Sequence, residues 1–178
     1  MKILFLLTLL CAPHCLAKVT IAFIEVRLPD GRLLQMEPGG RFSHIAISYR
    51  GLWLHAHPYR GVELITTEQL KNLDRSGFVI LKSLPNHEEI TETELATYLD
   101  KPFDSNFSWE SEAYYCSKLV AKILKIVPKP MTFSAAGWPE AFKSKAGQLG
   151  ISPDEIYQEI ASESFRRQSI AQKCEGLF

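Results

Sequence analysis

The stretch Arg41-Phe-Ser-His-Ile-Ala-Ile-Ser-Tyr-Arg-Gly-Leu-Trp-Leu-His-Ala-His-Pro58 decides how the rest of the chain is read. Two short alternating runs, rich in β-branched and aromatic residues, flank Arg50-Gly51, which is the pattern of a hairpin with a two-residue turn. In the first run His44, Ala46 and Ser48 share one face, while Ile45 and Ile47 take the other. In the return run Trp53, His55 and His57 share a face, opposite that of Leu52, Leu54 and Ala56. A two-residue turn places His57 opposite His44 with His55 one step along the same face. A slip by one residue makes His55 the nearer partner. Three of the five histidines are therefore expected on one small sheet.

Far downstream, Tyr114-Tyr-Cys-Ser117 opens a second informative stretch. Cys116, Leu119, Val120, Ile123 and Val127 recur at helical spacing, and Pro128 and Pro130 end the pattern. A cysteine at a helix start meets unpaired backbone N–H groups and the positive end of the helix dipole, which favour a thiolate. The same N–H groups can hold an oxyanion. Cys116 and His44 are thus the parts of a thiol nucleophile with its base. Each has a plain structural counterpart, since free cysteine is often buried in cores and a strand histidine is often a satisfied, half-buried residue. The small Ala46 and Ser48 leave room for the cysteine helix to cross the histidine face.

Outward from these two stretches the chain reads as alternating short elements. Val19 to Arg27 is a strand, Pro29-Asp30-Gly31 a turn, and Leu33 to Met36 a possible further strand. Gly61 to Ile65 and Phe78 to Leu81 are strands. Thr66-x-x-Gln69 and Thr91-x-x-Glu94 have capping-box spacing and open short helices, to about Leu73 and to Leu99. Lys101 to Phe107 is a loop, and Trp138 to about Leu149 reads as helical. Ser152-Pro153-Asp154-Glu155 caps a last helix running to about Gln172. No repeat or linker divides the chain.

Residues 1–17 have the form of a secretory signal. Lys2 precedes an apolar run from Ile3 to Leu10, and Cys15-Leu16-Ala17 puts small residues where cleavage before Lys18 needs them. The run is too short to span a bilayer. The expectation is a secreted or periplasmic protein with residues 18–178 as one domain, and no stable membrane insertion after cleavage. The 178 residues carry 20 basic and 20 acidic side chains, a balance that gives no electrostatic reason to expect nucleic acid as a partner. Of four cysteines, Cys116 and Cys174 remain after cleavage. A disulfide between them would silence the proposed nucleophile. Three histidines on one sheet offer zinc as an alternative, but no helical His-x-x-x-His and no acidic ligand nearby support it, so no metal or cofactor is expected. His87 and the charges of the last helix read as solvated.

Gly40-Arg-Phe-Ser-His44-Ile-Ala-Ile, the return strand ending His55-Ala-His57-Pro58, Lys101-Pro-Phe-Asp104 and Tyr115-Cys116-Ser-Lys-Leu-Val120 together resemble one known family. It is the circularly permuted NlpC-type branch of papain-like cysteine hydrolases, and within it the YiiX/YebB-like group, with lecithin retinol acyltransferase-like enzymes as more distant relatives. The histidine strand precedes the cysteine helix by about seventy residues, which is the permuted order. The resemblance implies an α+β, papain-like fold with a small antiparallel sheet packed against the nucleophile helix. It implies Cys116 as nucleophile, His44 as general base and His55 as the third polar member, with His57 as the alternative. Many YiiX-like members carry Glu at that third position and the acyltransferase-like branch carries His. Tyr115 and Ser117 would line the oxyanion and substrate site. The expected activity is hydrolysis of an amide, ester or thioester in a peptide or lipid-type acyl substrate. Its rivals are a non-catalytic peptide- or lipid-binding module and a histidine-based zinc protein.

Overall fold

A computed structural model describes residues 19–73, 76–85, 87–134, 138 and 140–162. Five antiparallel strands form the main sheet: β1 (Val19–Val26), β2 (His44–Tyr49), β3 (Leu52–His57), β4 (Gly61–Ile65) and β5 (Ser76–Leu84), in the order β4-β3-β2-β1-β5. The β2–β3 turn has the expected two residues, with Arg50 at φ 45° and Gly51 at φ 81°. Both central residues at positive φ match the right-handed twist of the paired strands. Ile47 pairs with Leu54 and Tyr49 with Leu52, the register a two-residue turn dictates.

Three helices follow the capping signals. Thr66 accepts from the Gln69 amide and the Gln69 side chain accepts from the Thr66 amide, a complete box at the start of α1 (Thr67–Lys71). Thr91 caps α2 (Glu92–Tyr98) through the Glu94 amide. Ser152 and Glu155 cap each other reciprocally at the start of α4, residues 153–162. The remainder of the predicted last helix, Cys174 and the signal segment lie outside the described residues.

The helix α3 (Cys116–Leu124) lies across β2 and β3, and Leu119, Val120 and Ala121 join Ile45, Ile47, Leu54 and Ala56 in the main core. This corrects the expected packing. The helix takes the isoleucine face of the hairpin, whereas Ala46 packs with Ala22, Ile24, Trp53, Ile65 and Leu70 on the other side. The branched face offers the larger apolar area to bury, at about 25 cal/mol per Å². Nor does α3 reach Val127, which is 74% exposed. Lys125 takes the left-handed conformation, φ 57°, and ends the helix three residues before Pro128.

Two other elements differ from expectation. Residues 33–36 are not a strand, because β2 and β5 already occupy both edges of β1. Only the end of β1 is left, where Leu34 donates to the Val26 carbonyl. Residues 138–149 are not one helix: Glu140–Lys145 forms a 3₁₀ turn and Leu149–Gly150 (β7) pairs with Lys129–Pro130 (β6).

α4 is tied directly to the strand that carries His44. The buried Asp154 carboxylate accepts from the Arg41 and Phe42 amides, just ahead of β2. Phe42, Phe23 and Tyr157 pack as three rings with centroids 5.1–5.4 Å apart, joining β1, β2 and α4.

Candidate active site

His44 is the first residue of β2 and Cys116 the first of α3, so each sits where its element ends and the sheet opens. Both border one cavity of about 370 Å³, whose other walls include Ile24, Val26, Leu34, Met36, Phe103 and Phe107. Cys116 is a free thiol, 6% exposed. The backbone amides of Ile45, the residue next to His44, and of Ser117 favour its thiolate form.

The partner of His44 is His55. His44 Nε2 lies 2.9 Å from His55 Nδ1, with the rings nearly perpendicular. The register extrapolates to His57 opposite His44, but the side chains meet along the diagonal, the second-neighbour contact that long or aromatic residues reach on one sheet face. His57 is turned to its own loop, where Nδ1 accepts from the Tyr59 amide at 3.1 Å. Both nitrogens of the fully buried His55 are occupied, the second at 3.1 Å from Glu63 Oε1. Arg60 in turn donates to both oxygens of Glu63. Among the described residues no group of three or more His, Cys, Asp or Glu is arranged to hold a metal ion.

The sequence reading missed Glu63 and Arg60. The signal was present: a short turn after His57 pairs His55 with Glu63 across β3 and β4, placing both on one face. Tyr115 and Ser117 are placed beside Cys116, but their hydroxyls are engaged by one residue. Ser117 Oγ donates to the Ile151 carbonyl at 2.7 Å, and the Ile151 amide donates to Tyr115 Oη at 3.3 Å. These bonds fasten the start of α3 to the start of α4.

The electrostatics run against a resting ion pair. Burial pushes the Cys116 thiol up to about 11, against the pull of the surrounding amides. Burial first, then the neighbouring His55 and His57, push His44 down to about 3. Burial also lowers His55 to about 4, although Glu63 opposes it. The thiolate expected at a helix start is therefore outweighed by desolvation, and thiol and imidazoles rest neutral.

The loop from Asp104 to Ala113 forms a further wall. Asp104 accepts from the Asn106 and Ser108 amides and from Ser111 Oγ. Lys118, fully buried on α3, donates to the carbonyls of Ser108, Ser111 and Ala113. Phe107, at φ 52°, is held between them and packs against Trp138 with centroids 4.8 Å apart.

A helix-start cysteine on an antiparallel sheet, preceded in the chain by the strand bearing its histidine, defines the class of permuted papain-like proteins. The chain belongs to the Peptidase_C92 family, the permuted papain-like amidases YaeF/YiiX, whose family model matches residues 36–165. That family is one of papain-like amidases, which supports a cysteine hydrolase. No curated protein and no solved structure matches the chain.

Proposed function

We propose that the protein is a cysteine hydrolase acting on acyl compounds with a substantial apolar acyl group. One observation carries the reading: Cys116 and His44 open onto the same mainly apolar cavity. An aliphatic chain gains about 0.8 kcal/mol per buried CH₂ there, and a polar cell-wall peptide gains little.

The neutral resting pair sets the order of events. As Cys116 Sγ bonds to the acyl carbon, its proton passes to His44 Nδ1, the ring nitrogen not engaged by His55. The carbonyl π-electrons move to oxygen, and the Cys116 backbone N–H at the helix start stabilises the oxyanion. Collapse expels the amine, alcohol or thiol, which takes the proton from His44, and leaves a thioester on Cys116. Water then attacks that thioester, giving its proton to His44, and the carboxylic acid leaves as the thiol is restored. His55 holds the His44 ring in place. Residues 1–17 would act as a cleaved signal, with the enzyme secreted or periplasmic.

The raised thiol pKa favours a second reading, a non-catalytic module that binds an acyl chain in the same cavity. A series of acyl esters and amides from two to sixteen carbons separates the two. The hydrolase reading expects turnover that rises with chain length and is lost in Cys116→Ala and in His44→Ala. Saturable binding of the long chains with no turnover in wild type would establish the binding module instead.

A further inference from the structure

Beyond the thiol and its two histidines, Glu63 is the side chain that determines where the protons of the pair reside. Its carboxylate is one-quarter exposed on the edge strand β4, and Arg60 grips both oxygens. Partial burial disfavours the charge, but the Arg60 hydrogen bonds and charge outweigh it and hold the carboxyl below its usual range. An ionised carboxylate can only accept a hydrogen bond.

That restriction propagates through two contacts of normal hydrogen-bond length. Because Glu63 accepts, the bond at 3.1 Å must be donated by His55 Nε2–H. A neutral imidazole with its proton on Nε2 has a bare Nδ1, so His55 Nδ1 accepts in turn. The 2.9 Å contact must then be donated by His44 Nε2–H, which leaves His44 Nδ1 without a proton. In the opposite order His44 would carry its proton on Nδ1 and could not take one from a thiol.

We infer that Glu63, held by Arg60, is a positioning residue that selects the tautomers of His55 and His44 and so keeps Nδ1 of His44 bare. The tautomer order stands on the geometry alone; its use in turnover rests on the reading of His44 as the base. The same carboxylate favours, through His55, the imidazolium that forms when His44 takes the proton.

The test is two-bond ¹H–¹⁵N correlation spectroscopy of the full chain labelled at histidine, near pH 7.5. His44 and His55 are assigned with the help of His57→Gln and His87→Gln. Wild type is expected to show both rings neutral with the proton on Nε2. Glu63→Leu is expected to place part of the His44 population in the Nδ1–H form. Acyl hydrolysis should fall by about 10- to 100-fold, the usual cost of losing a group that orients a working histidine. A wild-type ring with its proton on Nδ1 overturns the inference before any variant is made. So does a folded Glu63→Leu protein with both tautomers unchanged. Because the tautomers are read without substrate, a protein that hydrolyses nothing yet shows this shift refutes the hydrolase reading and leaves the tautomer selection standing.

Discussion

His44 Nε2 meets His55 Nδ1 at 2.9 Å along the diagonal of the β2–β3 ladder, while His57, opposite His44 by register, turns to the Tyr59 amide. Two histidines on one face of one strand are thus given different work. His55→Ala should lower kcat/KM for acyl-ester hydrolysis by about 10²-fold or more, the range lost when a base is left unoriented. His57→Ala should change it only a few-fold, because His57 Nδ1 is turned to the Tyr59 amide. Equal losses in the two variants would contradict this assignment.

The chemistry of the resting thiol gives a second expectation. With its pKa pushed up to about 11, Cys116 should react slowly with iodoacetamide at neutral pH. Its rate should keep rising past about pH 10, where an ordinary thiol of pKa about 8.5 has levelled off. His44→Ala should leave this profile almost unchanged while abolishing turnover, since the proton moves only during attack. A reactive plateau below pH 7 would show a preformed ion pair.

Acid should loosen the fold in a defined window. His44 and His55 titrate near 6.5 when unfolded but at about 3 and about 4 in the fold. Between those limits the unfolded chain binds more protons, so stability is complete above pH 6.5 and declines as pH falls through that window. Thermal unfolding from pH 7.5 to 4.5 should show a falling Tm, and the slope should be shallower in the His44→Gln, His55→Gln double variant. A parallel slope would mean that other groups carry the acid sensitivity.

Lys118 offers a test of the cavity wall. Its buried ammonium satisfies three loop carbonyls and stands 3.9 Å from Asp104. Lys118→Met should destabilise the protein by about 3 kcal/mol, the cost of leaving a buried carboxylate and carbonyls without their cation. Denaturant unfolding measures it, and a loss under 1 kcal/mol would show that water replaces the ammonium.

How much of this was legible in the sequence depends on whether a signal is local. The hairpin, its turn, the reciprocal caps at Thr66 and Ser152 and the N-cap at Thr91 follow from residues within a few positions of one another. The structure has each of them, although the Glu94 half of the box expected at Thr91 is not formed. The features that needed a neighbour were misread or missed. Alternation showed that His44 and Ile45 point to opposite faces, but which face α3 covers depends on both partners' apolar area. Leu33 to Met36 has strand-like residues, yet β1 has no free edge for it. Val127 continues the apolar stripe in spacing only, because the residue before a proline avoids the helical region. Glu63 was hidden because its importance lies in the β3–β4 register, which no periodicity within β4 reveals.

The most direct measurement of the central claim is intact-protein and peptide mass spectrometry after rapid acid quench of the full chain with a slowly hydrolysed long-chain acyl ester. The account predicts a transient mass increase equal to the acyl group, located on Cys116, absent in Cys116→Ala and strongly reduced in His44→Ala. Ester turnover with no acyl group on Cys116, or turnover that survives Cys116→Ala, would contradict it.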